Sequence, residues 1–303
     1  MELRHLRYFV SVVKLGSFTR AADELCITQP TLSHQIRQLE DELGCEVFER
    51  GARSVRLTGA GEIFTAYAGR ALREAEDGKA AVRAFQGLRE GRLAFGVVSS
   101  FTNTLLPPVL SRFQAEYPGI ELNVLELPTA ELERQVRDGE LSFGVAYGPA
   151  HSELVALEEM FEEELALIVV REHPLAGRKS IGLGELGEVP LALLPRSFVS
   201  RKLVDAAFAE ASCRPMVKLE LNSIDALLQM AAKTRLGTIL ATRMASRTGP
   251  LVAVPIRPVL RRIACIFTRR GTGLPPAAKV ILEMVRTANR SGAGAQRPES
   301  LKQ

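Results

Sequence analysis

Apolar residues recur at helical spacing through the first third of the chain, and in short runs bounded by turn residues after it. Leu3, Leu6, Val10 and Val13 predict a first helix, Ala21, Ala22 and Leu25 a shorter second one, and Leu32, Ile36, Leu39 and Leu43 a third with one buried face. Ser17 and Thr28 are placed to cap the second and third helices. Pro30 is tolerated in a first turn, where N–H groups have no intrahelical acceptor, and Gly44 suits a C-terminal stop. Val47-Phe48 and Val55-Arg56-Leu57 then read as two short strands around a turn holding Arg50, Gly51, Ala52 and Arg53. Residues 1–58 are therefore expected to form an all-α winged helix-turn-helix.

Phe64, Ala68, Ala71, Ala75, Gly78, Val82 and Phe85 follow at alternating spacings of four and three, a heptad seam that predicts one long linker helix over 59–88. Its small central residues permit close approach of a second helix, so a homodimer through 59–88 is expected, packing against the chain's own second half being the alternative. Gly87 to Gly91 marks a hinge. Beyond it, strands at 92–99, 120–127, 141–147, 165–170, 189–194, 217–221, 238–242 and 263–268 alternate with helices at 105–117, 130–138, 199–211, 224–234 and 277–289. This pattern predicts an α/β domain with a largely parallel sheet. Residues 91–162 with 266–290 would make one lobe and 163–265 another, and 291–303 would be a polar tail.

Composition narrows the function. The 303 residues are 46% hydrophobic and 24% charged, a globular balance. No apolar run approaches the roughly 18 residues of a membrane span, and the first residues form an amphipathic helix rather than a signal peptide, so a cytoplasmic location is expected. The net charge of +4 does not mark the N-terminal region, because residues 1–90 hold thirteen basic and thirteen acidic side chains. Any DNA binding must come from local placement. Cys26, Cys45, Cys213 and Cys265 show no metal spacing, so four reduced, mostly buried thiols are expected, with a Cys213–Cys265 redox pair as the alternative. No metal or cofactor is implied.

Two constellations carry chemistry. Pro30, Ser33, His34 and Arg37 fall at i, i+3, i+4 and i+7 on the polar face of the third helix, where hydroxyl, imidazole and guanidinium groups project together, placed to read base edges of double-stranded DNA. Ser17, Arg20, Thr28, Gln29 and Thr31 flank that face, and Arg53 on the wing is placed for phosphates or an adjacent minor groove. The competing reading is a solvated basic surface. In open α/β sheets ligands sit beyond the carboxyl ends of strands, which selects the hydroxyl-rich loops Ser99-Ser100-Phe101-Thr102-Asn103, Pro195-Arg196-Ser197-Phe198 and Asn222-Ser223. Ser99, Ser100, Phe101, Thr102, Ser197, Phe198, Asn222 and Ser223 are the candidates for a small anionic effector held largely by neutral donors. Ordinary helix capping explains each position singly.

Gly182-Leu183-Gly184-Glu185-Leu186-Gly187 matches G-x-G-x-x-G, yet it runs into Glu188-Val189-Pro190, a turn into a strand, and is read as a surface loop. No G-x-S-x-G elbow, Walker loop or H-E-x-x-H motif is present. The chain is therefore not expected to be an enzyme. The alternatives are a small-molecule binding protein dimerised by its N-terminal helices, and an enzyme acting on a small anion.

Leu6-Arg7-Tyr8-Phe9, Gly16-Ser17-Phe18-Thr19-Arg20-Ala21-Ala22, Thr28-Gln29-Pro30-Thr31-Leu32-Ser33, Phe48-Glu49-Arg50 and Leu57-Thr58-x-Ala60-Gly61 resemble the LysR-type transcriptional regulators. Tyr117-Pro118, Asp138-Gly139-Glu140-Leu141, His173-Pro174-Leu175 and Asn222-Ser223 carry the resemblance through the second half. It implies a coiled-coil dimer helix, an effector domain of two lobes like a periplasmic binding protein, a homotetramer, and RNA polymerase as a further candidate partner. Within the family, Gln35 to Glu40, Arg70-Ala71-Leu72 and Asn222-Ser223-Ile224 look most like the cyanate-utilisation (cyn operon) regulator subgroup. Three positions depart from the family pattern: His34 stands where many relatives carry Arg, Ser142 replaces a common Asp, and Thr242 replaces a frequent Pro.

Overall fold

A computed structural model describes residues 1–49, 55–85, 90–102 and 104–293. The chain separates near residue 90 into two compact units.

In the first unit, α1 (Leu3–Leu15), α2 (Phe18–Glu24) and α3 (Gln29–Leu43) precede the long α4 (Gly59–Phe85). Local chemistry sets their ends. The Ser17 hydroxyl accepts from the Arg20 N–H at 3.3 Å and Thr28 from the Thr31 N–H at 3.4 Å, while Gly16 and Gly44 close α1 and α3 with φ of 60° and 70°. Phe9, fully buried, lies 5.3 Å from the Phe48 ring and 5.2 Å from Phe64, so one aromatic cluster joins α1, the hairpin and α4. The wing is smaller than the two strands expected. Among the described residues it is one antiparallel bridge, Phe48 to Leu57, flanked by a bond from the Glu49 N–H to the Arg56 carbonyl at 3.0 Å. Arg50 and Arg53 lie outside the described residues. So do 86–89, most of the expected hinge, and 294–303 of the tail.

The seam on α4 also divides. Phe64 and Ala68 pack into the core of this unit together with Leu72, because α1 lies along that face. Val82 and Gly78 remain exposed, as do Ile63 and Tyr67 one turn apart. The N-terminal part of the predicted dimer stripe is therefore used within the chain. A side chain at Gly61 would collide with the Val47 carbonyl, so only glycine lets the start of α4 close on the hairpin.

The second unit runs β1 (Gly91–Val97), α5 (Ser99–Thr102), α6 (Leu106–Glu116), β2 (Ile120–Glu126), α7 (Thr129–Arg137), β3 (Gly144–Tyr147) and β4 (Val155–Val170). It continues with β5 (Ile181–Gly182), α8 (Leu183–Leu186), β6 (Pro190–Leu193), α9 (Val199–Glu210), β7 (Met216–Glu220), α10 (Ile224–Lys233) and β8 (Thr238–Ala241). A 3₁₀ turn (Thr242–Arg247), β9 (Leu251–Arg269) and α11 (Pro276–Ala293) complete it. The main sheet has the order β2-β1-β3-β9-β4-β8. Its parallel pairings are β2-β1-β3 and the short β5 beside β9. β9 is antiparallel to β3 and β4, and β4 to β8, so the sheet is mixed rather than largely parallel.

The difference arises from two long strands. The sequence pattern predicts only the last six residues of β4 and a segment near the end of β9, whereas the strands span sixteen and nineteen residues. Glu162 to Glu164 look like a solvated loop in isolation, but each faces β9, where Arg261 and Arg262 supply the opposite charge. Both strands pass from one lobe into the other. In the second lobe Leu165, Leu167 and Val169 of β4 face one core with α8 and α9, while Ala166 and Ile168 point to the opposite side, where Ile168 joins α10. In the first lobe Leu132 and Val136 of α7 pack with Ala146, Cys265 and Phe267.

Two further expectations change. The Gly182–Gly187 segment is a short strand and one helical turn whose Leu183 and Leu186 are buried, not a surface loop. Cys26 and Cys45 are exposed, not buried, and Cys213 and Cys265 pack in different cores as free thiols, which rules out their pairing in this fold. No described helix is long and apolar enough to cross a membrane.

Candidate functional site

The polar face of α3 presents the predicted DNA-reading residues to solvent. Thr28, Gln29, Pro30, Thr31, His34 and Arg37 are exposed and Ser33 is half-buried. Several are already engaged with one another: Thr28 and Thr31 hydroxyls lie 2.8 Å apart, and Gln29 Nε2 donates to Ser33 Oγ at 2.9 Å. His34 and Arg37 have no side-chain partner among the described residues, so they meet an incoming ligand without first breaking a bond. Arg20 donates to the Leu15 carbonyl and Ser17 caps α2, so both of these expected DNA contacts are also tied into the helix-turn-helix scaffold.

Glu40 was not singled out by sequence, yet it fixes the hairpin to α3. Its Oε1 accepts the Val47 N–H at 2.9 Å and the Phe48 N–H at 3.3 Å. Glu40 is one of three consecutive carboxylates with Asp41 and Glu42, so residue type alone did not single it out.

The second site is a cavity of about 290 Å³ between the lobes. Val98, Ser99, Ser100, Tyr147 and the 126–129 segment line it from the first lobe. Leu194, Ser197, Phe198, Val199, Asn222, Ile224, Leu240, Ala241 and Met244 line it from the second. Five of the eight sequence candidates thus converge: Ser99, Ser100, Ser197, Phe198 and Asn222. The others do not reach the wall. Phe101 is fully buried under the floor, stacked on Tyr147 at 5.1 Å. Thr102 donates to Glu126 Oε2 at 2.7 Å, and Ser223 caps α10 by accepting from the Ala226 N–H at 3.3 Å. Asn103 lies outside the described residues. α9 is anchored behind the cleft by Arg201, 5% exposed, which donates to the Leu194 carbonyl, Asp205 and Glu220.

The floor carries charges that the sequence reading missed. Ser100 Oγ and Tyr147 Oη lie 2.9 Å apart, and Tyr147 donates to Glu163 Oε2 at 2.8 Å. Arg262 donates to the same oxygen through Nε at 2.8 Å and Nη2 at 2.5 Å, with its guanidinium 3.7 Å from the Tyr147 ring centre. Arg243 Nε sits 2.6 Å from Glu163 Oε1 as an ion pair not aligned for a hydrogen bond, and its Nε and Nη2 are buried without an acceptor. Burial, outweighing the nearby arginines, pushes the Tyr147 hydroxyl up to about 12, which keeps it a donor at neutral pH. Glu163 and the Arg262 side chain are 7% and 8% exposed. One buried carboxylate is thus shared by two guanidiniums.

Comparison with known proteins agrees with both halves. A family model described as bacterial regulatory helix-turn-helix protein, lysR family, matches residues 3–62, and one described as LysR substrate binding domain matches 86–290. The Hca operon transcriptional activator HcaR of Escherichia coli (strain K12) is 33% identical over 289 residues, spanning 94% of this chain and 97% of that protein. A full-length OxyR variant from Pseudomonas aeruginosa superposes with a TM-score of 0.72 at 27% identity, covering 96% of this chain and 95% of the other. CbnR, solved in complex with its target DNA, shares the fold with a TM-score of 0.66 at 23% identity over 95% of this chain and all of the other. With a helix-turn-helix in its first unit and a two-lobed cleft in its second, the chain belongs to the LysR family: it is a helix-turn-helix transcriptional regulator with an effector-binding domain, and not an enzyme.

Proposed function

We propose that this regulator reads promoter DNA through the exposed face of α3 and answers to a small anionic effector seated between the lobes. The observation that carries the reading is the cleft floor, where two guanidiniums share one carboxylate beside Ser99, Ser100 and Asn222. On the DNA side, Gln29, Pro30, Thr31, Ser33, His34 and Arg37 make the base-reading set, Arg53 on the wing contacts the backbone, and Ser17, Arg20 and Thr28 hold the scaffold. The domain division is 1–58 for the DNA-binding domain, 59–88 for the linker helix, 91–162 with 266–290 for the first lobe and 163–265 for the second, except that Ala264 and Cys265, paired with β3, go with the first lobe.

The protein acts as a homodimer joined along 59–88, in which exposed Ile63, Tyr67 and Val82 find cover, and two dimers assemble as a tetramer in the cytoplasm, with RNA polymerase as the downstream partner. Effector binding changes the relation of the lobes and thereby the spacing of the paired DNA readers, which alters DNA bending. The likeness to the cyanate-utilisation subgroup makes cyanate one candidate effector.

Fluorescence anisotropy of the purified protein against its own upstream DNA and a scrambled duplex, at two salt concentrations, tests the reading. A preference of about 10³-fold or more for the upstream DNA is expected. Equal, weak and steeply salt-dependent binding to both would leave only the non-specific electrostatic term and defeat it.

A further inference from the structure

We propose that Arg262 is the anion-reading group of the cleft, and that it selects an organic carboxylate with an apolar body over a bare inorganic or triatomic anion. The inference rests on the effector reading above and names the group and ligand class. Its first support is charge. In the floor, Arg262, Arg243 and Glu163 bring together two positive charges and one negative charge, with Glu163 and the Arg262 side chain less than a tenth exposed and Arg243 23% exposed; the other carboxylate on the cavity wall, Glu126, is exposed to water and takes the Thr102 hydroxyl. A buried excess of positive charge is costly unless an anion completes it.

Geometry gives the second support. Arg262 spends Nε and Nη2 on Glu163 and is held flat by the Tyr147 ring, which leaves Nη1 as the remaining edge of a fixed guanidinium. The same side chain lines the 290 Å³ cavity and a second one of about 620 Å³ that shares Thr129, Ser197 and Val199 with it, so it stands where the two meet. Shape gives the third. Opposite the charged floor the wall is apolar, made by Leu194, Phe198, Ile224, Leu240 and Met244. A three-atom anion would leave that wall unfilled, whereas a carboxylate on a ring or short chain buries it while its head group meets Arg262.

Calorimetric titration of the full-length protein tests this with four probes: benzoate, its neutral twin benzamide, cyanate and sulfate. Benzoate is expected to bind, with benzamide weaker by on the order of tenfold to a hundredfold, the range for losing a hydrogen bond to a charged group. Cyanate and sulfate are expected to bind more weakly than benzoate. Arg262→Met should lose the preference for benzoate over benzamide, and the wild-type comparison stands alone if that variant does not fold. Equal binding of benzoate and benzamide overturns the charge reading, and cyanate or sulfate binding more tightly than benzoate overturns the choice of carboxylate. A folded Arg262→Met that keeps the wild-type preference removes Arg262 from the role while leaving an anion cleft in place. If none of the four binds the wild type, the carboxylate assignment is overturned, while the regulator reading is decided separately by the DNA titration above.

Discussion

The face of α3 and the floor of the cleft both gather polar side chains, but they hold them at opposite ends of the range of solvation. On α3, His34 and Arg37 stand in water, so their desolvation is deferred until DNA arrives and removing either costs the fold little. In the cleft, Glu163, Arg262 and Tyr147 are already out of water and bonded to one another, so part of the cost of binding an anion has been met during folding. The first arrangement suits a surface that slides along many DNA sequences before settling. The second suits a site that answers to one kind of ligand. Binding and stability should therefore separate on α3 and be coupled in the cleft.

That contrast is open to direct attack. Glu163→Ala leaves two guanidiniums buried without their carboxylate, and should cost about 3 kcal/mol of stability in urea denaturation followed by circular dichroism; a loss below about 1 kcal/mol would mean that the cleft charges are as well solvated as those on α3. Arg37→Ala should weaken specific DNA binding by about 1–3 kcal/mol in anisotropy titrations while the melting temperature stays put. A fall in both would place Arg37 in the fold rather than in recognition. Ser17→Ala, which removes the cap of α2, should lower stability by about 1 kcal/mol, seen as an earlier unfolding transition of the N-terminal unit. The smallest effect is a pH slope outside both sites. Burial, ahead of the nearby Arg235, holds His173 below its usual value, so the unfolded chain takes up a proton first and stability falls as pH drops through about 6.5. His173→Asn should flatten the slope of melting temperature between pH 7 and 5.

How far each region could be read from sequence follows from the reach of its interactions. α3 was legible because its stripe and its polar face lie within fifteen consecutive residues and its caps, Thr28 and Gly44, directly flank them. Ser99, Ser100, Ser197, Phe198 and Asn222 were found by topology, as loops at strand ends. The bonds among Tyr147, Glu163 and Arg262 span 16 and 99 positions along the chain, and nothing local announces them. Glu162 to Glu164 and the prolines at 255 and 258 argued against strands on propensity, and cross-strand charge pairing overrode it. The α4 seam is ambiguous in sequence for a related reason, since a repeat of apolar residues does not say whether the partner helix belongs to the same chain, and here Phe64 and Ala68 find theirs within it. Two runs of opposite charge, Glu162-Glu163-Glu164 and Arg261-Arg262, were the one sequence signal that pointed to the paired strands.

β4 and β9 have a consequence for how such regulators are built. Glu163 and Arg262 face each other in register, so the chain departs for the second lobe and comes back from it at neighbouring points, roughly 5 Å apart across the sheet. Everything between them is a detour that begins and ends on the same rung of a ladder. It is therefore exchangeable as a cassette: the first lobe keeps its path whatever is spliced into that gap, and half the walls of the ligand chamber can be replaced without redrawing the rest of the protein.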